Sequence, residues 1–262
     1  MSERNLFSPL SADAIDFDEV KPSASLELVL PAGIKPYYQE NGIAIIHGDC
    51  QAILKCLPCA FCGDCSVPLA DEGIVAIHAA AGHLVRPYVD LTLTDPPYGV
   101  GFAEWDEKIP PLDWLHRSKA ICKLVMFTPG NGSQYLYPPP DWTLCWFRPG
   151  SVQKAANGGF SHWEPVLVYG DNPMPFDAKE FSAQTDQAGN GHPCPKPIKV
   201  WKWLMKHGSS VGDLVLDPFM GSGTTLVAAK YLERRGIGIE IEERYCEIGA
   251  KRLSQDVFNF ED

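Results

Sequence analysis

Thr94-Asp95-Pro96-Pro97-Tyr98-Gly99 decides how this chain is read. It follows Val89-Asp90-Leu91-Thr92-Leu93, whose β-prone alternation predicts a strand running into a rigid turn. Two consecutive prolines fix two φ angles and remove two backbone donors, while their carbonyls still accept. Asp95 is thereby placed at the carboxyl end of a strand, where open α/β sheets hold their ligands. Tyr98 adds a flat ring beside a carboxylate and a fixed carbonyl. Such a group suits a planar substrate bearing an NH₂. The carboxylate and the Pro96 carbonyl each accept one amine hydrogen, and the ring stacks on the substrate. The competing reading is a Pro-rich turn that only closes a strand. A second motif decides between them.

That motif is Leu214-Val215-Leu216-Asp217-Pro218-Phe219-Met220-Gly221-Ser222-Gly223-Thr224-Thr225, followed by Leu226-Val227-Ala228-Ala229. It predicts an apolar strand, a Gly-rich turn and a helix start. Gly221 and Gly223 permit a tight turn and close approach of backbone to a ligand. The helix N-terminus favours a carboxylate or phosphate. A second strand, Ile237-Gly238-Ile239-Glu240, follows about twenty residues after the turn and ends on an acid. An acid there is the usual partner of a ribose hydroxyl pair. Strand, loop, helix, strand and acid in this order point to an adenosine-containing cofactor.

The Asp95-Pro-Pro-Tyr98 and Asp217-Pro-Phe-Met-Gly-Ser-Gly-Thr-Thr225 motifs together resemble the amino-methyltransferases of DNA, which use S-adenosylmethionine. The cofactor loop lies about 120 residues after the catalytic motif, as in the permuted beta group of that family. His192-Pro193-Cys194-Pro195-Lys196-Pro197 resembles the family's HPxxKP element, and Gly48-Asp49 the element that holds the cofactor's adenine. The resemblance covers roughly residues 40–50 and 86–252. It implies an α/β, Rossmann-like doubly wound sheet, mostly parallel with an antiparallel edge hairpin. It implies a catalytic group of Asp95, Pro96, Pro97 and Tyr98. For the cofactor it implies Glu240 on the ribose hydroxyls, Asp49 on the adenine amine and Asp217 on the methionine amino group. The backbone of Phe219, Gly221 and Gly223 would line the ligand, with Lys196 and Thr224 as candidates for its carboxylate end. Adenine in DNA is the expected acceptor, because cytosine-N4 members more often have Ser in place of Asp95. Cytosine-N4 methylation is the alternative. RNA and protein-glutamine methyltransferases resemble an NPPY pattern in unpermuted order, which is absent here. A non-catalytic nucleic-acid-binding module would not need the intact set of Asp95, Tyr98, Gly221, Gly223 and Glu240.

The chain's 262 residues, 45% of them apolar, suffice for one large domain with a sizeable core. No apolar run reaches a bilayer-spanning length, and Met1-Ser2-Glu3-Arg4 does not open a secretory signal. A cytoplasmic location in a bacterium or phage-infected cell is the expectation. The net charge of −11 argues against a generic nucleic-acid binder. DNA binding then rests on local patches, such as Lys196, Lys199, Lys202, Lys206 and His207, or Arg117, Lys119 and Lys123.

Residues 1–36 read as a mobile or loosely docked arm, 37–255 as the methyltransferase domain and 256–262 as a tail. Strands are predicted at 41–49, 124–128, 143–149 and 165–169, and helices at 51–57, 112–123, 198–207, 224–235 and 242–254. Phe102 and Trp105 sit in a loop at 99–111 that in the family often closes over the target base; covering the core is their other reading. Residues 171–191, with help from the loop at 150–163, stand where the family keeps its target-recognition segment. Residues 51–85 are an insert bearing Cys56, Cys59, Cys62 and Cys65 at uniform three-residue spacing. Cys-x-x-Cys pairs suit a tetrahedral ion, although natural zinc sites usually separate the pairs by a dozen residues. A structural zinc without a part in catalysis is one expectation for them, and a set of reduced thiols the other.

Overall fold

A computed structural model describes residues 28–30, 33–57, 88–101, 106–150, 159–171, 174–181 and 196–255. Their strands are β1 (Tyr38–Glu40), β2 (Ile43–His47), β3 (Val89–Thr94), β4 (Cys122–Phe127), β5 (Trp142–Phe147), β6 (Trp163–Tyr169), β7 (Ala178–Glu180), β8 (Leu214–Asp217) and β9 (Arg235–Glu240). Their helices are α1 (Cys50–Ile53), α2 (Asp113–Ile121), α3 (Ile198–Gly208), α4 (Thr224–Tyr231) and α5 (Glu243–Ser254). The strands form one sheet in the order β1-β2-β9-β8-β3-β4-β6-β5-β7. The central five, β2 through β4 in that order, are parallel. β6 runs antiparallel to β4, and β5 antiparallel to β6.

Side-chain alternation along the strands sorts the core into two layers. Ile43, Ile45, Leu91, Leu93, Leu124 and Met126 pack on one face with α3, α4 and α5. Ala44, Ile46, Val125, Phe127, Ile237 and Ile239 pack on the other with α1 and α2. The result is the doubly wound α/β sheet that the motif order predicts.

The chain leaves β8 through α4 to reach β9 on one side, and leaves β3 through α2 to reach β4 on the other. β3 and β8 are neighbours, with Leu91 beside Val215 and Thr92 beside Leu216. The two connections therefore diverge at these strands, and a crevice opens beyond their carboxyl ends. Both sequence motifs begin there, one after each strand.

Several boundaries differ from the expectations. The helix expected at 51–57 is only Cys50–Ile53, followed by turns. The β5–β6 hairpin is antiparallel as expected but is not the edge, because β7 pairs in parallel outside β5. β7 falls within residues 171–191, where no strand was expected; Ala178-Lys179-Glu180 is exposed throughout and so lacks the apolar alternation that marks a strand. β1 went unforeseen for the same reason, being three mostly exposed residues. Leu28, near the end of the expected arm, is docked: its side chain is 5% exposed and its carbonyl accepts from Gln39 Nε2 at 2.7 Å. The remainder of that arm up to residue 27 lies outside the described residues, as do Phe102, Trp105, Cys59, Cys62 and Cys65. Among the described residues no helix is long and apolar enough to cross a membrane.

Candidate functional site

Asp95 leaves the end of β3 and is held by three donors. Its Oδ1 accepts from the Tyr98 hydroxyl at 2.6 Å and from the Thr128 hydroxyl, and its Oδ2 pairs with the Lys196 ammonium. The turn that carries it is fixed from below. Asp106 Oδ1 accepts the backbone N–H groups of Tyr98 at 2.6 Å and Gly99 at 2.9 Å, while Ser133 Oγ donates to the Tyr98 carbonyl at 2.8 Å. The Tyr98 ring lies flat against Gly130, where a Cβ would stand 3.0 Å from two ring carbons. Gly130 has φ +76°, so both its backbone and its neighbour exclude a side chain. Burial, and then the Asp95 charge, push the Tyr98 hydroxyl well above the ordinary phenol range, so it stays protonated and donates to Asp95.

The second half is built on the loop after β8. Gly221 and Gly223 take φ +53° and +82°, which lets the chain turn from strand into α4 within a few residues. The loop is tied to β9: Met220 N–H donates to the Ile239 carbonyl at 3.0 Å, and Gly221 N–H donates to Glu240 Oε2 at 2.8 Å. Glu240 Oε1 accepts from Glu242 N–H at 2.9 Å, and burial raises this carboxyl above its ordinary range. Asp217 is 3% exposed and accepts from the Thr94 hydroxyl and from Phe219 N–H at 3.1 Å. Burial pushes its pKa up to about 7 against the pull of those hydrogen bonds. No cation pairs with Asp217 among the described residues. Arg252 reaches back from α5 to donate to the Ser222 carbonyl at 2.6 Å and to Thr224 Oγ1 at 3.3 Å, holding the far side of the loop.

A cavity of about 310 Å³ joins the two halves. Of the residues expected at the site, Asp95, Pro96, Pro97, Tyr98, Asp49, Lys196, Asp217, Phe219, Gly221, Thr224 and Glu240 line it. Gly223 stands behind the wall instead. It is the residue before α4, and a Cβ on it would come 3.3 Å from Gly249 Cα, so it serves the turn and the packing of α5. Asp49 lines the cavity while capping α1, accepting from Gln51 N–H at 2.9 Å. The largest departure is Lys196. Expected at the cofactor's carboxylate end, its ammonium is found on Asp95 and 3.0 Å from the Tyr98 hydroxyl, drawn by the carboxylate charge. Of the four cysteines proposed for zinc, only Cys56 is described, as an exposed free thiol.

The cavity suits a cofactor with hydroxyls at one end and an ammonium at another. Among the acids that line it are Glu240 and Asp217, the latter buried and with no cation paired to it among the described residues, and the Gly221 turn lines it as well. Sequence reading missed Thr128, Asp106 and Arg252. Thr128 carried a faint signal, as a hydroxyl closing an otherwise apolar strand, and the other two carried none.

Residues 145–251 match the family model N6_N4_Mtase, DNA methylase. The chain is 41% identical over 242 residues to the type II methyltransferase M.HpaI of Haemophilus parainfluenzae, covering 73% of this chain and 77% of that protein. It is 26% identical over 271 residues to the DNA adenine methyltransferase YhdJ of Escherichia coli (strain K12), covering 80% and 82%. The solved PvuII DNA methyltransferase, titled cytosine-N4-specific, superposes with a TM-score of 0.59 at 17% identity over 87% of this chain and 92% of that one.

Proposed function

Because this chain belongs to the family of DNA N6/N4 amino-methyltransferases that use S-adenosylmethionine, we propose that it methylates the exocyclic amine of adenine in DNA. The observation that carries the choice of adenine is Asp95: a carboxylate, rather than the serine more frequent in cytosine-N4 enzymes, stands at the amine position. The relative named as a DNA adenine methyltransferase supports the same choice. Cytosine-N4 transfer is the second reading, favoured by the likeness in fold to PvuII methyltransferase.

An exocyclic base amine is a poor nucleophile because its lone pair is delocalised into the ring. Asp95 Oδ2 and the Pro96 carbonyl accept its two hydrogens, which draws the lone pair out of conjugation and fixes its direction. Asp95 Oδ1 is already engaged by Tyr98 and Thr128, so the carboxylate presents its other oxygen without rotating once the Lys196 ammonium is displaced from it. Its negative charge stabilises the amine as it becomes cationic. S-adenosylmethionine, when bound, supplies the electrophilic methyl group, so no covalent intermediate with the protein is required. Glu240 would hold the ribose hydroxyls, Asp49 the adenine amine and Asp217 the methionine ammonium. The target base leaves the stack at a cost of a few kcal/mol, and stacking on Tyr98 recovers about 1–3 kcal/mol. Residues 171–191 contribute to target recognition, and the enzyme acts as the modification partner of a restriction system, as the type II names of its relatives suggest. Nucleoside mass spectrometry on DNA from an expressing, methylation-deficient host tests the base. N6-methyladenine is expected; N4-methylcytosine alone replaces this reading with the second.

A further inference from the structure

The place prepared for the target amine already holds an amine. Lys196 Nζ contacts Asp95 Oδ2, lies 3.0 Å from the Tyr98 hydroxyl and stands 5.0 Å from the Tyr98 ring centroid. These are the carboxylate and ring that would receive the base. The Lys196 side chain is only 11% exposed, and it lines the same cavity as Asp217, Gly221 and Glu240. Resting on the function proposed above, we propose that Lys196 occupies the acceptor subsite until DNA enters, and that it is itself methylated at Nζ when the cofactor is bound and DNA is absent.

The chemistry balances with the cofactor the enzyme already uses. The lysine ammonium loses one proton to solvent by way of Asp95. The neutral Nζ forms a bond to the methyl carbon as the carbon–sulfur bond breaks, and sulfur keeps that electron pair as a neutral thioether. The product, a methylated secondary ammonium, keeps its charge and two hydrogens, and can still donate to Asp95. The reaction is slow relative to methylation of DNA, since the ammonium must first give up a proton while it is paired with the Asp95 carboxylate.

The test uses the full chain with cofactor and no DNA, followed by peptide mass spectrometry. One added methyl mass is expected on the peptide containing Lys196, absent from Asp95→Asn and Lys196→Arg and suppressed by added unmethylated DNA. No methyl on Lys196 in a preparation that methylates DNA overturns the proposal, as does equal labelling in Asp95→Asn or on exposed lysines. A preparation that methylates neither DNA nor itself overturns the functional reading and this proposal with it. A second readout needs no turnover. Calorimetry on Lys196→Met should give a cofactor Kd within about twofold of the parent, because the amine belongs to the acceptor side. A tenfold weakening would make Lys196 a cofactor ligand and overturn the proposal.

Discussion

In the function proposed above, two buried acids, Glu240 and Asp217, take part in holding the cofactor, and each makes a separate prediction. Glu240 already accepts two backbone N–H groups, from Gly221 and Glu242, so its carboxylate is fixed in direction before any ligand arrives. Replacing it with Ala removes charge-assisted hydrogen bonds worth about 1.5–3 kcal/mol. Glu240→Ala should therefore weaken cofactor binding by roughly one to two powers of ten, measured by calorimetry; an unchanged Kd removes Glu240 from the ribose. Asp217 acts through pH. With its pKa held up at about 7 by burial, it is protonated in the ligand-free protein at pH 6 and ionised at pH 8. An ammonium ligand requires the ionised form, so binding releases a proton below pH 7. Cofactor affinity should rise as pH increases from 6 toward 8, and the rise should flatten in Asp217→Asn. The same shift sets a stability trend. Asp217 binds its proton more tightly folded than unfolded, so between its unfolded value near 3.9 and its folded value of about 7, ligand-free stability falls as pH rises. Calorimetric titrations at the two pH values check the binding trend; equal affinity at both would take Asp217 away from the ammonium.

The elements that carry the site are rigid because each turn is pinned by contacts from a different part of the chain. The turn after β3 is held by Asp106, by Ser133 and by the backbone at Gly130. Gly130→Ala is the direct probe of that arrangement. Alanine at φ +76° costs about 1–2 kcal/mol in a left-handed conformation. Its methyl would also sit 3.0 Å from the Tyr98 ring. The variant should fold, with a lower melting temperature, and methyl transfer should drop by roughly tenfold or more as Tyr98 shifts on Asp95. Circular dichroism and a single-turnover assay check this, and full activity would mean that the position of Tyr98 is immaterial. Strand-ending motifs were legible at this scale because β3 alternates apolar with polar residues, β8 is an apolar run, and each runs into Asp-Pro. β1 and β7 were not, because three exposed residues carry no period for burial to imprint.

Across the whole molecule, most of the residues named from the sequence line one cavity, but how they are paired was not legible. Asp95 and Asp217 lie far apart in sequence and come together because β3 and β8 are adjacent at the point where the sheet reverses its winding. That much follows from motif order and the rules of doubly wound sheets. The attachment of Lys196 to Asp95, across 101 residues, does not follow from any local pattern, and neither does the reach of Arg252 from α5 to the Thr224 loop. The central claim is that the fold joins two halves with separate tasks, an amine-accepting half at Asp95 and a cofactor half at Asp217 and Glu240. Asp95→Ala, assayed for methyl transfer to DNA and for cofactor affinity on the same preparation, tests it most directly. The account predicts transfer lost by at least about a thousandfold, equivalent to roughly 4 kcal/mol of transition-state stabilisation, with cofactor Kd within about threefold of the parent. A loss of cofactor affinity as large as the loss of rate would contradict it.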